Sequence, residues 1–192
     1  MLFHAGPKDA AQQALAPFRA LAEPLADMLR PTTYEEMYPP ENGGLPGFAT
    51  GRTTFVDGID RAAAAEILGR LAASTAQMPA AQLRVLGGAV ARVPADATAF
   101  AHRERRIMVN IAAVYANADE TGRHEAWSTD FAASLGNGDD AAYVNFLGDE
   151  GPERVRAAYP GRTWERLSEI KRRYDPDNLF HVNQNVPPQE FG

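Results

Sequence analysis

From Ala142 to Val186 the chain sets aromatic residues, turn formers and amides in an order that leaves the fold little freedom. It reads Ala142-Tyr143-Val144-Asn145-Phe146, then Tyr159-Pro160-Gly161, Trp164-Glu165-Arg166-Leu167 and Lys171-Arg172-Arg173-Tyr174-Asp175-Pro176-Asp177-Asn178-Leu179-Phe180, and closes on Asn183-Gln184-Asn185-Val186. The pattern predicts a strand over 141–147, a short helix over 153–159, and a helix over 163–173 with Thr163 as its N-cap. Asp175-Pro176-Asp177-Asn178 reads as a turn, because proline presets φ at the second position and turn aspartates bond their own backbone. Asp175 is therefore structural in this reading, and Tyr174 and Phe180 are expected to anchor the turn in the core.

This ordered set resembles the C-terminal segment of the berberine-bridge-enzyme-like flavin oxidases. That family carries a Tyr-x-Asn element, an aromatic-Gly pair, a helix with x-Arg-Leu and a Lys-x-Lys-Tyr-Asp-Pro-x-Asn-x-Phe finish that folds back onto the flavin. Upstream, Gly87-Gly88-Ala89-Val90-Ala91-Arg92-Val93 and Asp96-Ala97-Thr98-Ala99-Phe100-Ala101-His102-Arg103 look like a stretch of the substrate domain of bacterial members. Leu15-Ala16-Pro17-Phe18-Arg19-Ala20-Leu21 is more loosely similar to that domain's first helix. Such oxidases place a flavin-binding domain ahead of this region, and these 192 residues carry none.

Pattern alone outlines the rest. Leu15, Phe18, Leu21, Leu25 and Met28 recur at helical spacing within 9–29, with Pro17 and Pro24 splitting or kinking the helix. Pro31 to Gly51 is a Pro- and Gly-dense loop. A short strand is expected over 52–56, and a helix capped by Asp60 over 60–73 with Ala64, Ile67, Leu68 and Leu71 on its buried face. Strands are expected over 83–93 and 106–115. In the second, Ile107, Val109, Ile111, Ala113 and Tyr115 alternate with Met108, Asn110, Ala112 and Val114, as a sheet covered on one side requires. A helix over 120–135 presents Trp127, Phe131 and Leu135, with Gly136 as a left-handed cap.

Periodicity leaves open a parallel βαβ arrangement or an antiparallel sheet with helices on one face. The resemblance selects the latter: an α+β fold whose antiparallel sheet has about four to six strands, divided into a substrate-domain-like region over 1–140 and a berberine-bridge-like segment over 141–192, packed as one domain.

The sequence narrows the chemistry. A net charge of −6 without a Lys/Arg run argues against nucleic-acid or anionic-membrane partners, which need clustered cations. With no cysteine there is no disulfide, thiolate site or thiol nucleophile, and no cysteine for the covalent flavin link that many family members use. The start of the chain lacks a basic, then long apolar, signal pattern, so a cytoplasmic location is expected. His4, His102, His124 and His181 show no metal-ligand spacing, and His102 and Arg103 read as structural. No Gly-x-Gly-x-x-Gly or Walker pattern supplies a phosphate cradle.

In a strand Tyr143 and Asn145 would share one face. The resemblance implies that Tyr143 meets the substrate beside the flavin as a catalytic general base, a role that needs neighbouring donors or a cation, and that Asn145, Asn183 and Gln184 bind the cofactor. Gly87-Gly88 reads as a bulge or a close approach inside a strand. Related enzymes often carry an acidic base on that strand, whereas Ala89, Val90, Ala91 and Arg92 follow here. The function implied is the substrate-binding and C-terminal part of an FAD-dependent oxidoreductase. FAD and a small organic substrate come with the resemblance; the flavin domain would be supplied by another chain or a parent protein, and self-association into a homo-oligomer is one way to cover the open side. The alternative is a detached, non-redox domain that binds a small molecule or a protein.

Overall fold

The computed structural model describes residues 3–24, 26–37, 47–136, 138 and 140–188. The chain divides into two compact units, Met1–Gly44 and Leu45–Gly192. In the first, helix α1 (Lys8–Arg19) ends well before residue 29 and buries none of its residues. Pro17 lies in its last turns, and Pro24 cannot continue a helical ladder. Leu25 and residues 38–46 of the expected Pro31–Gly51 loop lie outside the described residues.

The second unit is built on an antiparallel sheet in the order β1-β3-β2, with β1 spanning Phe48–Val56, β2 Met78–Val85 and β3 Ile107–Tyr115. Among the described residues it has three strands, fewer than expected. The segment 141–147 runs extended only to Tyr143 and then turns through a 3-10 helix, Val144–Phe146. Its backbone finds no strand partner, since the Tyr143 N–H donates to the Thr53 hydroxyl at 3.2 Å rather than to a ladder carbonyl.

The second strand also differs from its expected span. It begins at Met78, where Pro79 hides the signal; an edge strand tolerates this proline because one row of its backbone groups needs no partner. It stops before Gly87 and Gly88, whose φ values of 146° and 50° end the ladder, so the pair forms a turn and not a bulge within a strand.

Two helices cover one face. α2 (Arg61–Ala73) opens where Asp60 accepts a hydrogen bond from the Ala63 N–H at 2.8 Å. α3 (Thr121–Leu135) lies against β1 and β3. Val56, Val109, Ile111, Ile67, Phe131 and Ala132 close the core between helices and sheet, with Leu71, Trp127 and Leu135 half-buried around them. Truncating the fully buried Phe131 to alanine should cost about 3–5 kcal/mol. Leu68, expected inside, is 68% exposed, being one position round the helix from Ile67. Gly136 is extended, not left-handed; it is small because a Cβ there would meet the Thr54 hydroxyl at 3.1 Å.

The C-terminal helices α4 (Pro152–Ala158) and α5 (Arg162–Tyr174) form their own small core of Ala142, Leu147, Val155 and Ala158, flanked by Tyr159 and Trp164. Gly161, with φ 56°, precedes α5, and Thr163 lies buried inside its first turn rather than capping it. Glu150 ties this region to β1: its Oε2 accepts from Arg52 at 2.5 Å and from Arg154 at 2.9 Å. The Asp175 turn forms as expected. Tyr174 and Phe180 do not enter the core, however: they are 73% and 77% exposed, because the turn is held by polar bonds instead.

Candidate functional site

Tyr143 packs on the sheet face opposite the helices. In ladder register Asn110 stands between Thr53 on β1 and Gln82 on β2, so the three share that face. One row along, Phe55 and Met108 are buried beneath Ala141, with Leu86, Tyr143 and Phe146 packed around them. The extended run 141–143 thus delivers Tyr143 to the edge of the polar row, and its N–H bond to Thr53 fixes it there.

The 3-10 turn then folds Asn145 back, and its Nδ2 donates to the Tyr143 hydroxyl at 2.9 Å. The Tyr143 ring is half-buried, edge-on to Phe100 at 5.7 Å and 5.6 Å from Phe146, while Asn145 is exposed. The Arg84 guanidinium caps Phe146 at 4.7 Å and donates to Gln82 Oε1 at 3.2 Å. A hydroxyl oxygen held by a donor and flanked by rigid rings suits proton transfer to or from a molecule lying on the sheet face. Gln82 and Asn110 were missed as candidates from sequence. Asn110 was nonetheless visible as the one amide in an otherwise apolar alternation.

His102 lies beneath the tyrosine. It is buried, 4.7 Å from the Phe55 ring and edge-on to Phe100, and its Nε2 has no partner. Burial pushes its pKa below the ordinary value, against the carbonyl of Ala142, which raises it. Burial raises the Tyr159 phenol, and nearby Tyr143 adds to that shift.

Asn183 and Gln184 occupy a different place. They line a cleft of about 1120 Å³ that also includes Leu147, Arg156, Trp164 and Asn185, and whose walls do not include Tyr143 or Asn145. Asn183 takes the left-handed conformation with φ 66°. Gln184 Nε2 donates to the carbonyls of Leu147 at 2.7 Å and Gly148 at 3.2 Å, and Asn185 Oδ1 is buried without a partner. The four candidates therefore form two pairs, joined through the loop that follows Tyr143. Gly87 and Gly88 have open space where a Cβ would stand, so no close backbone approach explains them. Among the described residues no group of three or more His, Cys, Asp or Glu is placed to hold a metal ion.

The fold is one used by FAD-linked oxidases. The solved structure of a glycopeptide hexose oxidase complexed with teicoplanin matches with a TM-score of 0.72 and 22% identity, over 96% of this chain and 42% of that one. Among curated sequences, the uncharacterized FAD-linked oxidoreductase YgaK of Bacillus subtilis is 27% identical over 187 residues, 95% of this chain and 41% of its own length. The FAD-linked oxidoreductase tazG of Aspergillus terreus is 37% identical over 100 residues, 50% of this chain and 20% of its own length. The family described as "Berberine and berberine like" matches residues 142–187. Residues 142–187 thus match the berberine-like family segment, and the chain as a whole is similar to FAD-linked oxidoreductases. It spans about two fifths of the length of the first of these relatives and one fifth of the second.

Proposed function

We propose that the chain is the substrate-binding and C-terminal part of a berberine-bridge-like, FAD-dependent oxidoreductase, acting on a small organic molecule with a flavin-binding domain from another chain or a longer parent protein. The observation that carries this reading is the Asn145-to-Tyr143 hydrogen bond beside a polar row of the sheet that runs from buried Thr53 through half-buried Asn110 to exposed Gln82. In this reading residues 1–140 are the substrate-domain-like region and 141–192 the berberine-bridge-like segment, working as one functional domain in the cytoplasm. No helix among the described residues is long and apolar enough to cross a membrane.

The flavin's own contribution when bound is a ring that accepts hydride. Asn145, Asn183 and Gln184 would hold its polar edge. Asn185 Oδ1 supports the fit, since a buried acceptor without a partner in the cleft suits an N–H of a planar heterocycle. As phenolate, the Tyr143 oxygen takes a proton from a substrate hydroxyl or carbon and becomes the neutral phenol, the Asn145 amide N–H orients that oxygen, and Phe100 and Phe146 fix the ring. Gln82 and Asn110 bind and orient polar groups of the substrate.

The test is to purify the chain alone and together with a candidate flavin-binding partner, reading the flavin absorbance band and substrate-dependent bleaching. The expected result is a colourless chain and a coloured complex that is bleached by substrate. Stoichiometric flavin on the chain alone overturns the need for a partner. A chain that binds small molecules yet never supports bleaching with any flavin domain is instead a non-redox binding domain.

A further inference from the structure

The family segment 142–187 contains both ends of one hydrogen-bonded closure. Gln184, near its end, donates through Nε2 to the carbonyls of Leu147 and Gly148, near its start, and α4 and α5 lie between. Those carbonyls directly follow the turn that lifts Asn145 onto Tyr143. The backbone bonds within that turn are local, from the Phe146 N–H to the Tyr143 carbonyl at 2.9 Å and from the Leu147 N–H to the Val144 carbonyl at 3.1 Å. Tyr143 is tied to Thr53 at its entry, and Phe146 and Leu147 pack on neighbouring side chains. A one-turn 3-10 segment is marginal on its own, so its persistence depends on what holds its exit.

We propose that Gln184 is a positioning residue, a clamp that keeps the Tyr143–Asn145 pair in register by fixing the exit of the 144–146 turn. The inference rests on the reading of Tyr143 as the proton acceptor for its functional meaning, though its test does not. One amide nitrogen holding two carbonyls has no spare donor geometry for a third acceptor, so the cleft side of Gln184 is left with its Oε1.

The experiment uses the chain as purified and compares wild type, Gln184→Glu and Gln184→Ala. Glutamate keeps the length but loses both amide hydrogens and faces two carbonyls with a carboxylate. Two readouts need no flavin: amide hydrogen-exchange protection at Phe146 and Leu147, and the ring NMR shift of Tyr143, assigned by its absence in Tyr143→Phe. In both variants protection at 146 and 147 should fall about tenfold, the factor carried by one or two net hydrogen bonds. The Tyr143 ring signal should move as its Asn145 bond is released, while protection across β3 stays as in wild type. Unchanged protection at 146–147, an unmoved ring signal, or a uniform loss that extends through β3 overturns the clamp. Failure here leaves the oxidoreductase reading standing, and failure to support flavin bleaching leaves the clamp standing.

Discussion

Asn145 Nδ2 meets the Tyr143 hydroxyl at 2.9 Å because Asn145 sits inside a 3-10 turn that Tyr143 directly precedes, rather than two places along a strand. Residues two apart in a strand stand about 7 Å from each other, too far for an amide to lock a neighbouring phenol. The 3-10 turn shortens that separation and turns a shared face into a bonded pair. Tyr143→Phe keeps the ring contacts with Phe100 and Phe146 and removes only the oxygen. In a flavin-reconstituted complex turnover should fall by about 10²–10⁴, the usual share of a general base, with little change in thermal unfolding. Turnover equal to wild type would place the base elsewhere.

Glu150 is the electrostatic hinge between β1 and the C-terminal helices. Its side chain is nine-tenths buried, and Arg154, which it anchors, also donates to the carbonyls of Thr53 and Asp140. Glu150→Ala leaves two guanidiniums without their anion in a largely dry setting. Removing one partner of a buried pair typically costs about 3–5 kcal/mol, and the lower end applies because Arg52 is a quarter exposed. Chemical denaturation of Glu150→Ala and Glu150→Gln checks this, with the amide variant expected to be the milder of the two. A loss below about 1 kcal/mol, the scale of surface pairs, would remove the hinge role.

Much of this was legible in the sequence, and the failures share a physical origin. β3 was readable because its nine residues are apolar throughout except Asn110 and rich in β-branched side chains. The start of β2 was not, since Pro79 is permitted only by an edge position that a sequence does not reveal. Tyr143-Val144-Asn145-Phe146 has strand propensity, but propensity is overridden where no neighbouring strand offers its backbone a partner. Large aromatics are usually buried, yet the turn is closed by Asp175 and Lys171 bonding backbone groups, those of Phe180 included, so neither the Tyr174 nor the Phe180 ring has to enter the core. The Tyr143–Asn145 pair was found by resemblance. The polar row of Thr53, Asn110 and Gln82 needed the strand register, which is a long-range property.

His102 should make the fold sensitive to mild acid. Burial lowers its folded-state pKa below the ordinary value of 6.5, with the Arg105 charge adding to the shift and the carbonyls of Ala142, Ala157 and Ala158 opposing it. The unfolded chain therefore takes up its proton first as pH falls, so stability is full above about 6.5 and declines below it. The thermal midpoint of wild type should drop between neutral pH and pH 5, and His102→Phe should drop less. Parallel pH slopes in the two proteins would show that another group controls the decline.

Asp175 provides the complementary acid limit and the control for Tyr143. Its carboxylate accepts from the Lys171 ammonium, from the Leu179 N–H at 2.7 Å and from the Phe180 N–H at 3.0 Å, while Lys171 also donates to the Phe180 carbonyl at 2.5 Å. The Lys171 ammonium is the main influence holding this carboxyl below its ordinary value of 3.8, and the two backbone donors act in the same direction. A depressed carboxyl stabilises fully above its unfolded value and loses that contribution as pH falls through the lower folded one. Asp175→Ala should thus lower the thermal midpoint at neutral pH, and the gap from wild type should close as pH falls below the ordinary carboxyl value of 3.8 and through the lower folded one. The Asp175 carboxylate bonds Lys171, Leu179 and Phe180 and neither Tyr143 nor Asn145, so turnover per folded molecule in the reconstituted complex should match wild type. A midpoint gap that persists undiminished at low pH would assign the loss to packing. A fall in turnover comparable to that of Tyr143→Phe would draw the tail turn into the catalytic apparatus.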